Sequence, residues 1–516
     1  MLKKILRKLN QASRKDTKEL KNYKDVALSS RLNETTSTIK SIVGESDDVI
    51  QREIMIAQNR PASLFYIKGL SKQELINKDI LKPLLETQQK MDHLREQEFL
   101  QTLLQEVITN SQLSVHDSFD DAITYLMSGD SLLVIEGIQK LIILNTRGFD
   151  ERSVQEPQSE VVIRGPRDGF IENLQTNIVL IRRRLSNPDL IIQMGRLGEQ
   201  GRSPFALAYI KGIANEDLIE EVRYRLACVE TDDILETGVI EQLIEDNVLS
   251  PFPQLLHTER PDKAVGALLN GQIIILVEGT PFVLIAPITF HQLFKSSEDY
   301  YERWYIGTLI RILRYFAAFI SLFLPAIYIA MVSYHQGMIP TPLALSTAGA
   351  REGVPFPAFV EAILMEITIE LLREAGVRLP RPVGQTIGIV GGLVIGDAAV
   401  RAGFVSPIMV IVVALTAVSS FAIPAYSVSI TFRFLRFMIM VAAAIFGLYG
   451  IILVFILLNV HLVGLRSFGS YYTSPFAPYH FIDWLDSVFR APMSILRYRT
   501  AEPRKRDNAK QKLNEG

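Results

Sequence analysis

Hydrophobic and polar residues are distributed very differently in the two halves of this chain. Charged residues are spread through residues 1–304 as in a soluble domain, whereas residues 305–465 contain several long apolar runs. Phe316–Ser333 is apolar over 18 residues, which is long enough for a helix to cross the hydrocarbon core of a bilayer. Met409–Ile423 and Phe437–Val463 are further runs of this kind. The pattern predicts an all-α, multi-span membrane domain at residues 305–465.

Positive charges constrain the number of crossings without fixing it. Arg373, Arg378 and Arg381 lie between two apolar segments, and residues 466–516 form a basic tail. We expect both on the cytoplasmic side, because loops rich in Lys and Arg remain there. No secretory signal opens the chain, so the N-terminal domain is also expected in the cytoplasm. An even number of crossings is then required, although five apolar segments are visible. Either one segment is re-entrant or interfacial, or the last run is broken near Gly447–Gly450.

A periodic glycine pattern lies inside the membrane domain. Gly384, Gly388, Gly392 and Gly396 recur every four residues in the stretch GQTIGIVGGLVIGDAAV. Residues four apart share one face of a helix, and small residues there let two helix backbones approach closely in lipid. The pattern predicts a helix-packing seam, which belongs either to a pore or moving part or to ordinary membrane packing.

Carboxylates interrupt the apolar segment Ala358–Arg373. A charged side chain facing lipid costs at least roughly 2.5–3.5 kcal/mol at the bilayer centre, so its three glutamates should not all face lipid. Glu366 and Glu370 lie about 40° apart on a helix and can line one path, while Glu361 lies about 140° from Glu366 and faces elsewhere. Arg373 follows Glu370 by one turn and can neutralise it instead. The interpretations are a pore or coupling element, a structural ion pair, or an interfacial helix with solvated glutamates.

The soluble half repeats itself. The motif YIKG begins at Tyr66 and again at Tyr209, an offset of 143 residues. The segments GDSLLVIEG from Gly129 and GQIIILVEG from Gly271 are offset by 142 residues. Two independent matches at nearly the same offset indicate two copies of one structural unit. Each copy is predicted to run strand, strand, helix, further helix and closing hairpin, so the fold class is a duplicated α/β cytoplasmic domain followed by the membrane domain.

These patterns divide the chain into six parts. The predicted parts are a basic arm and linker at 1–45, α/β subdomain 1 at 46–147, a linker at 148–159, α/β subdomain 2 at 160–290, the transmembrane helical domain at 305–465 and the basic C-terminal tail at 466–516. Residues 1–10 have the pattern of a short basic amphipathic helix on an anionic membrane surface.

Composition excludes several functions. The formal net charge of −2 argues against nucleic acid as a partner. Cys228 is the only cysteine, which excludes an internal disulfide framework, and we expect it to be buried and inert. No Walker loop, dinucleotide fingerprint, HExxH or GxSxG motif occurs, so no enzyme activity, metal site or cofactor is predicted. The basic run Arg182–Arg184 is expected to be a solvated surface or an interface.

Several long runs resemble the A subunits of spore germinant receptors. They are EDNVLSPFPQLLHTERPDKAVGALLNGQIIILVEGTPFVLIAP, DYYERW, SYHQGMIPT, REGVPFP, EITIELLREAGVRLP and the glycine-rich stretch. The resemblance covers the chain from about residue 45 to about residue 475.

This resemblance implies a multi-pass protein of the inner membrane of bacterial endospores. It implies a permease-like B subunit and a lipoprotein C subunit as partners, self-association into an ion-conducting oligomer, and a role in triggering spore germination. The resemblance brings no catalytic residues. Two alternatives remain, namely an A-like sporulation membrane protein of the same family outside a nutrient receptor, and a secondary transporter. A structural scaffold is a third class.

Overall fold

The computed structural model describes residues 23, 26–57, 60–86, 96–110, 112–148, 156–380 and 394–496. The chain divides into two compact units. The α/β unit consists of Met1–Val248, Leu255–Ile288 and Met493–Gly516, and the helical unit consists of Leu249–Gln254 and Thr289–Pro492.

The α/β unit contains ten described strands and eight described helical segments. The strands are β1 (Val49–Ile56), β2 (Arg60–Ile67), β3 (Leu113–His116), β4 (Ser131–Ile135), β5 (Leu141–Leu144), β6 (Leu190–Leu197), β7 (Ser203–Ile210), β8 (Leu256–Thr258), β9 (Ile273–Val277) and β10 (Val283–Ala286). The helices are α1 (Leu32–Val43), α2 (Gln73–Leu75, continuing through the π-helical Ile76–Leu81 to Lys82–Glu86), α3 (Glu96–Thr102, continuing into the π-helical Leu103–Val107), α4 (Phe119–Met127), α5 (Leu174–Arg184), α6 (Glu216–Ala227), α7 (Thr237–Ile244) and α8 (Pro261–Leu269).

The two halves of the α/β unit have the same sheet topology. The strand order is β1-β2-β4-β5-β3 in the first sheet and β6-β7-β9-β10-β8 in the second, and all described pairs are antiparallel. Tyr66 is the penultimate residue of β2 and pairs with Ile50, just as Tyr209 is penultimate in β7 and pairs with Ile191. The equivalence predicted for the two YIKG motifs is therefore confirmed. The short strands β3 and β8 were not predicted.

The repeated Glu-Gly pair makes the same hydrogen bond in both copies, between the turn after the fourth strand of each copy and the start of a helix. The Oε2 atom of Glu136 accepts a hydrogen bond of 2.6 Å from the backbone N–H of Leu32, and Glu278 accepts one of 2.8 Å from Leu174. Gly137 and Gly279 follow with φ of +82° and +89°, a conformation that glycine adopts without strain. Each carboxylate thus satisfies a free donor at the start of a helix.

Helix α1 therefore belongs to the first copy. It packs on β2 and β4, as α5 packs on the equivalent strands β7 and β9. The sequence predicts a basic arm, helix fragments and a linker at residues 1–45, outside subdomain 1, whereas the structure makes Leu32–Val43 part of that subdomain. The difference arises because the sequence repeats strongly only at YIKG and at the Glu-Gly hairpin, whereas α1 and α5 share burial pattern and contacts rather than residues. The predicted helix at residues 1–10 lies outside the described residues.

Apolar packing on both faces holds the first sheet together. One face packs against α2 and α3 through Leu64, Ile80 and Phe99, and the other packs against α1 and α4 through Ile39 and Phe119. In the second copy every residue of β9, whose sequence is IIILV, is buried. Each such side chain contributes roughly 1.5–3 kcal/mol on burial. Continuous apolar runs of this kind are typical of strands covered on both faces.

The helical unit contains seven described α-helices. They are α9 (Glu298–Tyr301), α10 (Trp304–Ser333), α11 (Thr341–Arg351), α12 (Ala358–Arg378), α13 (Gly396–Arg401), α14 (Pro407–Phe421) and α15 (Tyr426–Gly464), with 3₁₀ turns at Phe290–Phe294, Gln336–Met338 and Phe481–Asp486 and a hairpin of β11 (Arg466–Ser467) and β12 (Ser470–Tyr471). Among the described helices, α10 and α15 are long and apolar enough to cross a membrane, and α14 is a shorter apolar helix.

Helix α15 reverses direction at Gly447, where the backbone takes the non-helical angles φ 61° and ψ −141°. Thr431 donates a hydrogen bond to the carbonyl of Pro251, and Nε2 of His461 lies 2.9 Å from Oγ of the adjacent Ser250. In a straight helix, residues 431 and 461 would lie about 45 Å apart. The two arms therefore run antiparallel, as in the alternative in which the last apolar run is broken near Gly447–Gly450.

Candidate functional site

Helix α12 carries the three glutamates that the sequence singled out, and each of them meets an arginine. The helix begins after Pro357, whose extended backbone precedes the first turn, and continues for 21 residues. Its leucines, isoleucines, glutamates and alanines favour a helix, and no proline interrupts it. Because the glutamates are separated by five and four residues, they leave the helix at different levels and reach different neighbours.

Glu361 is fully buried and joins three elements. Arg351, the last residue of α11, lies 3.0 Å from its carboxylate through Nη2 and donates a second bond of 3.2 Å through Nε. The other oxygen accepts a bond of 2.8 Å from the backbone N–H of Ser406, the N-cap of α14. The buried carboxylate is thus neutralised by a partly buried arginine and satisfies a backbone donor beside a helix N-terminus.

Glu366 and Arg436 form a buried ion pair between α12 and α15. The distance from Nη1 to Oε2 is 2.6 Å, and the two side chains are 3% and 4% exposed. Arg436 also donates a bond of 2.7 Å to the carbonyl of Ser321 on α10. Among the described residues, Oε1 of Glu366 has no hydrogen-bond partner. The pair connects three long helices at one level.

Glu370 differs from the other two carboxylates because its side chain is 44% exposed. Arg433 donates directly to Oε1, and Arg373 lies 3.6 Å from Oε2. Arg373 also points toward Ser420, at 3.4 Å, and lies over the ring of Phe421 at 5.0 Å. Glu370 is therefore shared between a partner on α15 and one on its own helix.

The charges of this network nearly cancel. Glu361, Glu366 and Glu370 supply three negative charges, and four arginines supply the positive ones, namely Arg351, Arg373, Arg433 and Arg436. Each of the three carboxylates therefore forms at least one ion pair in this structure, and the interpretations of their role stay predictions. The partners Arg351, Arg433 and Arg436 were missed from sequence. A signal for the last two was available, since SITFRFLRFMIM places two arginines inside an apolar run, where charge is rare and functional.

Most of the predicted glycine seam cannot be compared with the structure. Gly384, Gly388 and Gly392 lie outside the described residues. Gly396 is buried at the start of α13, and a Cβ atom there would lie 3.7 Å from Cγ1 of Val410, an ordinary van der Waals contact. The seam stays a prediction.

The run Arg182–Arg184 was expected at a solvated surface or an interface, and its members differ. Arg183 is exposed, whereas Arg182 is fully buried and its guanidinium binds Asp48 at 2.7 and 2.8 Å. This pair joins the two copies inside the α/β unit. The expectation of a buried Cys228 was wrong: it is exposed, as the C-cap residue that follows the last turn of α6. Among the described residues, no group of three or more His, Cys, Asp or Glu side chains could hold a metal ion.

A second ion-pair network lies at the beginning of α10. Residues 466–492, which we call the C-terminal strap, fold back onto the helical unit. Asp486 of the strap accepts hydrogen bonds from Arg311 at 3.2 Å, Tyr300 at 2.9 Å and Lys295 at 3.1 Å. Burial, followed by the charge of Asp486, raises the pKa of Tyr300. From sequence, residues 466–492 were predicted to belong to the basic C-terminal tail at 466–516.

The strap also forms hydrogen bonds with the segments that precede the long apolar helices. The hydroxyl of Tyr472 donates to the carbonyl of Pro253 at 2.7 Å, and Nδ1 of His291 donates to the carbonyl of Ser474 at 2.9 Å. Burial and the nearby Lys295 hold the pKa of His291 well below its ordinary value, so the ring is neutral.

Comparisons with known proteins find similarity to spore germination proteins over most of the chain. The family model described as Bacillus/Clostridium GerA spore germination protein matches residues 37–502, which includes the strap. The chain is 46% identical over 473 residues to spore germination protein GerLA of Bacillus cereus, covering 92% of this chain and 95% of that protein. It is 46% identical over 488 residues to spore germination protein KA of Bacillus subtilis (strain 168), covering 94% and 89%.

A solved structure is also similar, the N-terminal domain of the A subunit of the Bacillus megaterium spore germinant receptor GerK3. That comparison has 35% identity and a TM-score of 0.41 and covers 51% of this chain and 97% of the other. From the family model and the two germination proteins, we conclude that this chain belongs to the Bacillus/Clostridium GerA family of spore germination proteins.

Proposed function

We propose that this chain is the A subunit of a nutrient germinant receptor in the inner membrane of endospores. Its helical unit transmits the germinant signal and contributes to an ion-conducting oligomer. Membership of the GerA family supports the receptor role. The observation that carries the ion path is Glu370, which is half-exposed and shared by Arg433 and Arg373. Ionisable residues in apolar helices mark ion pathways and gating elements.

The ion pairs suggest how the path is kept closed at rest. With four arginines beside three glutamates, the network offers a cation no net negative charge. A movement of α12 relative to α15 would separate Glu370 from Arg433 and leave the carboxylate facing the path. In a symmetric oligomer, the freed carboxylates would form a ring of negative charge, which favours cations.

The remaining parts of the proposal concern topology and partners. Counting the two arms of α15 separately turns five apolar segments into six crossings, an even number that suits a cytoplasmic α/β unit and a cytoplasmic C-terminal end. A permease-like B subunit would recognise the nutrient, and a lipoprotein C subunit would complete the receptor. The nutrient signal would reach α12 through the helices with which it forms ion pairs.

Ion flux in liposomes tests this proposal. The variant Glu370→Gln removes one charge from the pair and should raise ion flux in the absence of germinant while lowering selectivity for cations. Glu374→Gln is the matched control, because Glu374 lies one turn further along α12 and pairs only with the exposed Arg378 among the described contacts. Unchanged flux and selectivity in an assembled Glu370→Gln protein would remove Glu370 from the path.

The same preparation separates the alternatives. Uptake of a solute coupled to an ion gradient, without independent ion current, would favour a secondary transporter. Spores that lack this chain and still respond to every nutrient would favour a sporulation protein of the family that acts outside a nutrient receptor. Neither flux nor uptake, with normal assembly, would favour a scaffold.

A further inference from the structure

The C-terminal strap contacts α10 at the level where that helix begins to expose apolar side chains. The hydroxyl of Thr308 lies 3.1 Å from the backbone N–H of Arg490 and accepts its hydrogen bond, and Nη1 of Arg311 donates to the carbonyl of Asp486 at 2.8 Å. Residues of the same turns are exposed on one face of α10, in the order Tyr305, Leu309, Leu313, Phe316 and Phe319. Their spacing of three or four residues makes a continuous stripe about 21 Å long.

The strap supplies a counter-ion for Arg311, a buried cation in the first turns of α10. Arg311 is 1% exposed although Leu309 and Leu313, on either side of it in sequence, are 68% and 60% exposed. Exposed leucines indicate an apolar surrounding, in which an unpaired guanidinium would be costly. Asp299 neutralises one side of Arg311 at 3.0 Å, and Asp486 of the strap neutralises the other. The strap therefore lies at the boundary between the apolar layer and water, where it covers a cation that lipid would reject.

The outer surface of the strap has the composition of a membrane interface. Tyr479 and Phe489 are 62% and 49% exposed. Trp484 is partly buried, with its Nε1 atom shielded from solvent, and packs against Tyr479 at 5.8 Å between ring centroids. Trp304 and Tyr305 are half-exposed at the start of α10. Aromatic rings that combine an apolar body with a polar edge concentrate in the headgroup layer of bilayers. Arg303 stands beside them and suits the lipid phosphates.

We propose that the strap is an interfacial collar, with the exposed rings of Tyr479 and Phe489 seated in the headgroup layer of the bilayer that surrounds α10 and with Trp484 packed against Tyr479. This inference rests on the proposed membrane embedding of the helical unit. The partner is the lipid surface itself. It is favoured over another protein chain because the strap is hydrogen-bonded to α10 at Thr308 and Arg311, in the same turns that carry the exposed apolar stripe.

Tryptophan fluorescence tests this placement, since Trp304 and Trp484 are the only two tryptophans in the chain. In the full chain reconstituted in liposomes, Trp304→Phe leaves Trp484 as the sole reporter. We expect a larger loss of its fluorescence with lipids brominated on the first carbons of the acyl chains than with lipids brominated near the chain ends, and little quenching by aqueous iodide. A Phe489→Trp variant that lacks both native tryptophans gives a second reporter if Trp304→Phe does not assemble.

A third reporter separates failure of this inference from failure of membrane embedding. Phe319→Trp, in the background without native tryptophans, should be quenched most by lipids brominated near the chain ends. If that reporter is insensitive to every brominated lipid, the proposed embedding of α10 is wrong, and the collar with it. If it is quenched while the strap reporters respond to iodide alone, the strap lies in water. If the strap reporters respond to neither quencher, a protein surface covers them. Each of the last two results would overturn the proposed position of the strap in the headgroup layer.

Discussion

Removal of Arg436 should destabilise the helical unit more than removal of any exposed arginine. The variant Arg436→Met replaces the guanidinium side chain by a shorter, unbranched apolar one and leaves Glu366 buried without its cation. Breaking one side of a buried pair costs about 3–5 kcal/mol, which is roughly a 150- to 5,000-fold change in the unfolding equilibrium. The loss should lie toward the upper end, because Oε1 of Glu366 already has no partner among the described residues.

The double variant Glu366→Gln/Arg436→Met makes this prediction specific. Replacing both members of a buried pair is often nearly neutral, and hydrogen bonds between membrane helices average about 0.6 kcal/mol in double-mutant cycles. The double variant should therefore recover most of the stability that Arg436→Met loses. Arg401→Met is the matched control, since Arg401 is 79% exposed in its pair with Asp397 and should cost at most about 1 kcal/mol.

Unfolding free energies of the protein in lipid nanodiscs are the measurement. Equal losses for Arg436→Met and Arg401→Met would contradict the argument that the buried charge determines the cost. A double variant as unstable as Arg436→Met would show instead that Arg436 acts through its bond to the carbonyl of Ser321.

Three further predictions follow from single positions. Gly447→Ala should cost about 1–3 kcal/mol in unfolding free energy, because its φ of 61° favours glycine and the added Cβ would meet Cε1 of His335 at 2.8 Å, whereas Gly464→Ala, with open space around it, should change little. Arg182→Met should lower the unfolding free energy of the α/β unit by about 3–5 kcal/mol, because Asp48 stays buried without its cation, and Arg183→Met, at the exposed neighbouring residue, serves as the control in denaturant titrations. Burial and the nearby Glu245 and Glu236 raise the pKa of Glu241 to about 7, above its unfolded value. The unfolding free energy should therefore fall as pH rises from about 4.5 to 7, and Glu241→Gln should reduce that dependence in denaturation curves measured across this range.

The structural features that could be predicted from sequence are those that leave a periodic or repeated pattern in it. The YIKG and Glu-Gly motifs predicted the duplicated sheets, because the same local hydrogen bonds recur in both copies, as the bonds of Glu136 and Glu278 to helix starts illustrate. The break of α15 was predicted as one of two alternatives from the length of the run and its glycines. Strands β3 and β8, of four and three residues, are too short to show alternation.

Ion-pair partners distant in sequence were not predictable from one chain. Spacing on a helix identifies neighbours three or four residues apart, so Arg373 was the natural partner for Glu370. The structure places Arg373 at 3.6 Å and gives the direct hydrogen bond to Arg433, which is 63 residues away. In the same way, Asp486 and Arg311 are 175 residues apart, and nothing local in the strap marks its aspartate as a buried counter-ion.

The distribution of these pairs has a consequence for how α12 can move. Glu361 binds α11 and the start of α14, Glu366 binds α15 and through Arg436 reaches α10, and Glu370 binds α15 again. A shift of α12 along its axis changes all three levels together, because a helix transmits translation without bending over a few turns. Separating even one buried pair without a new partner costs several kcal/mol. Intermediate positions of α12 are therefore unfavourable, and the helix should occupy either the present set of partners or a second complete set. A signal that reaches any one of the three levels would then act on all of them, which is the property required of an element that couples nutrient recognition to an ion path.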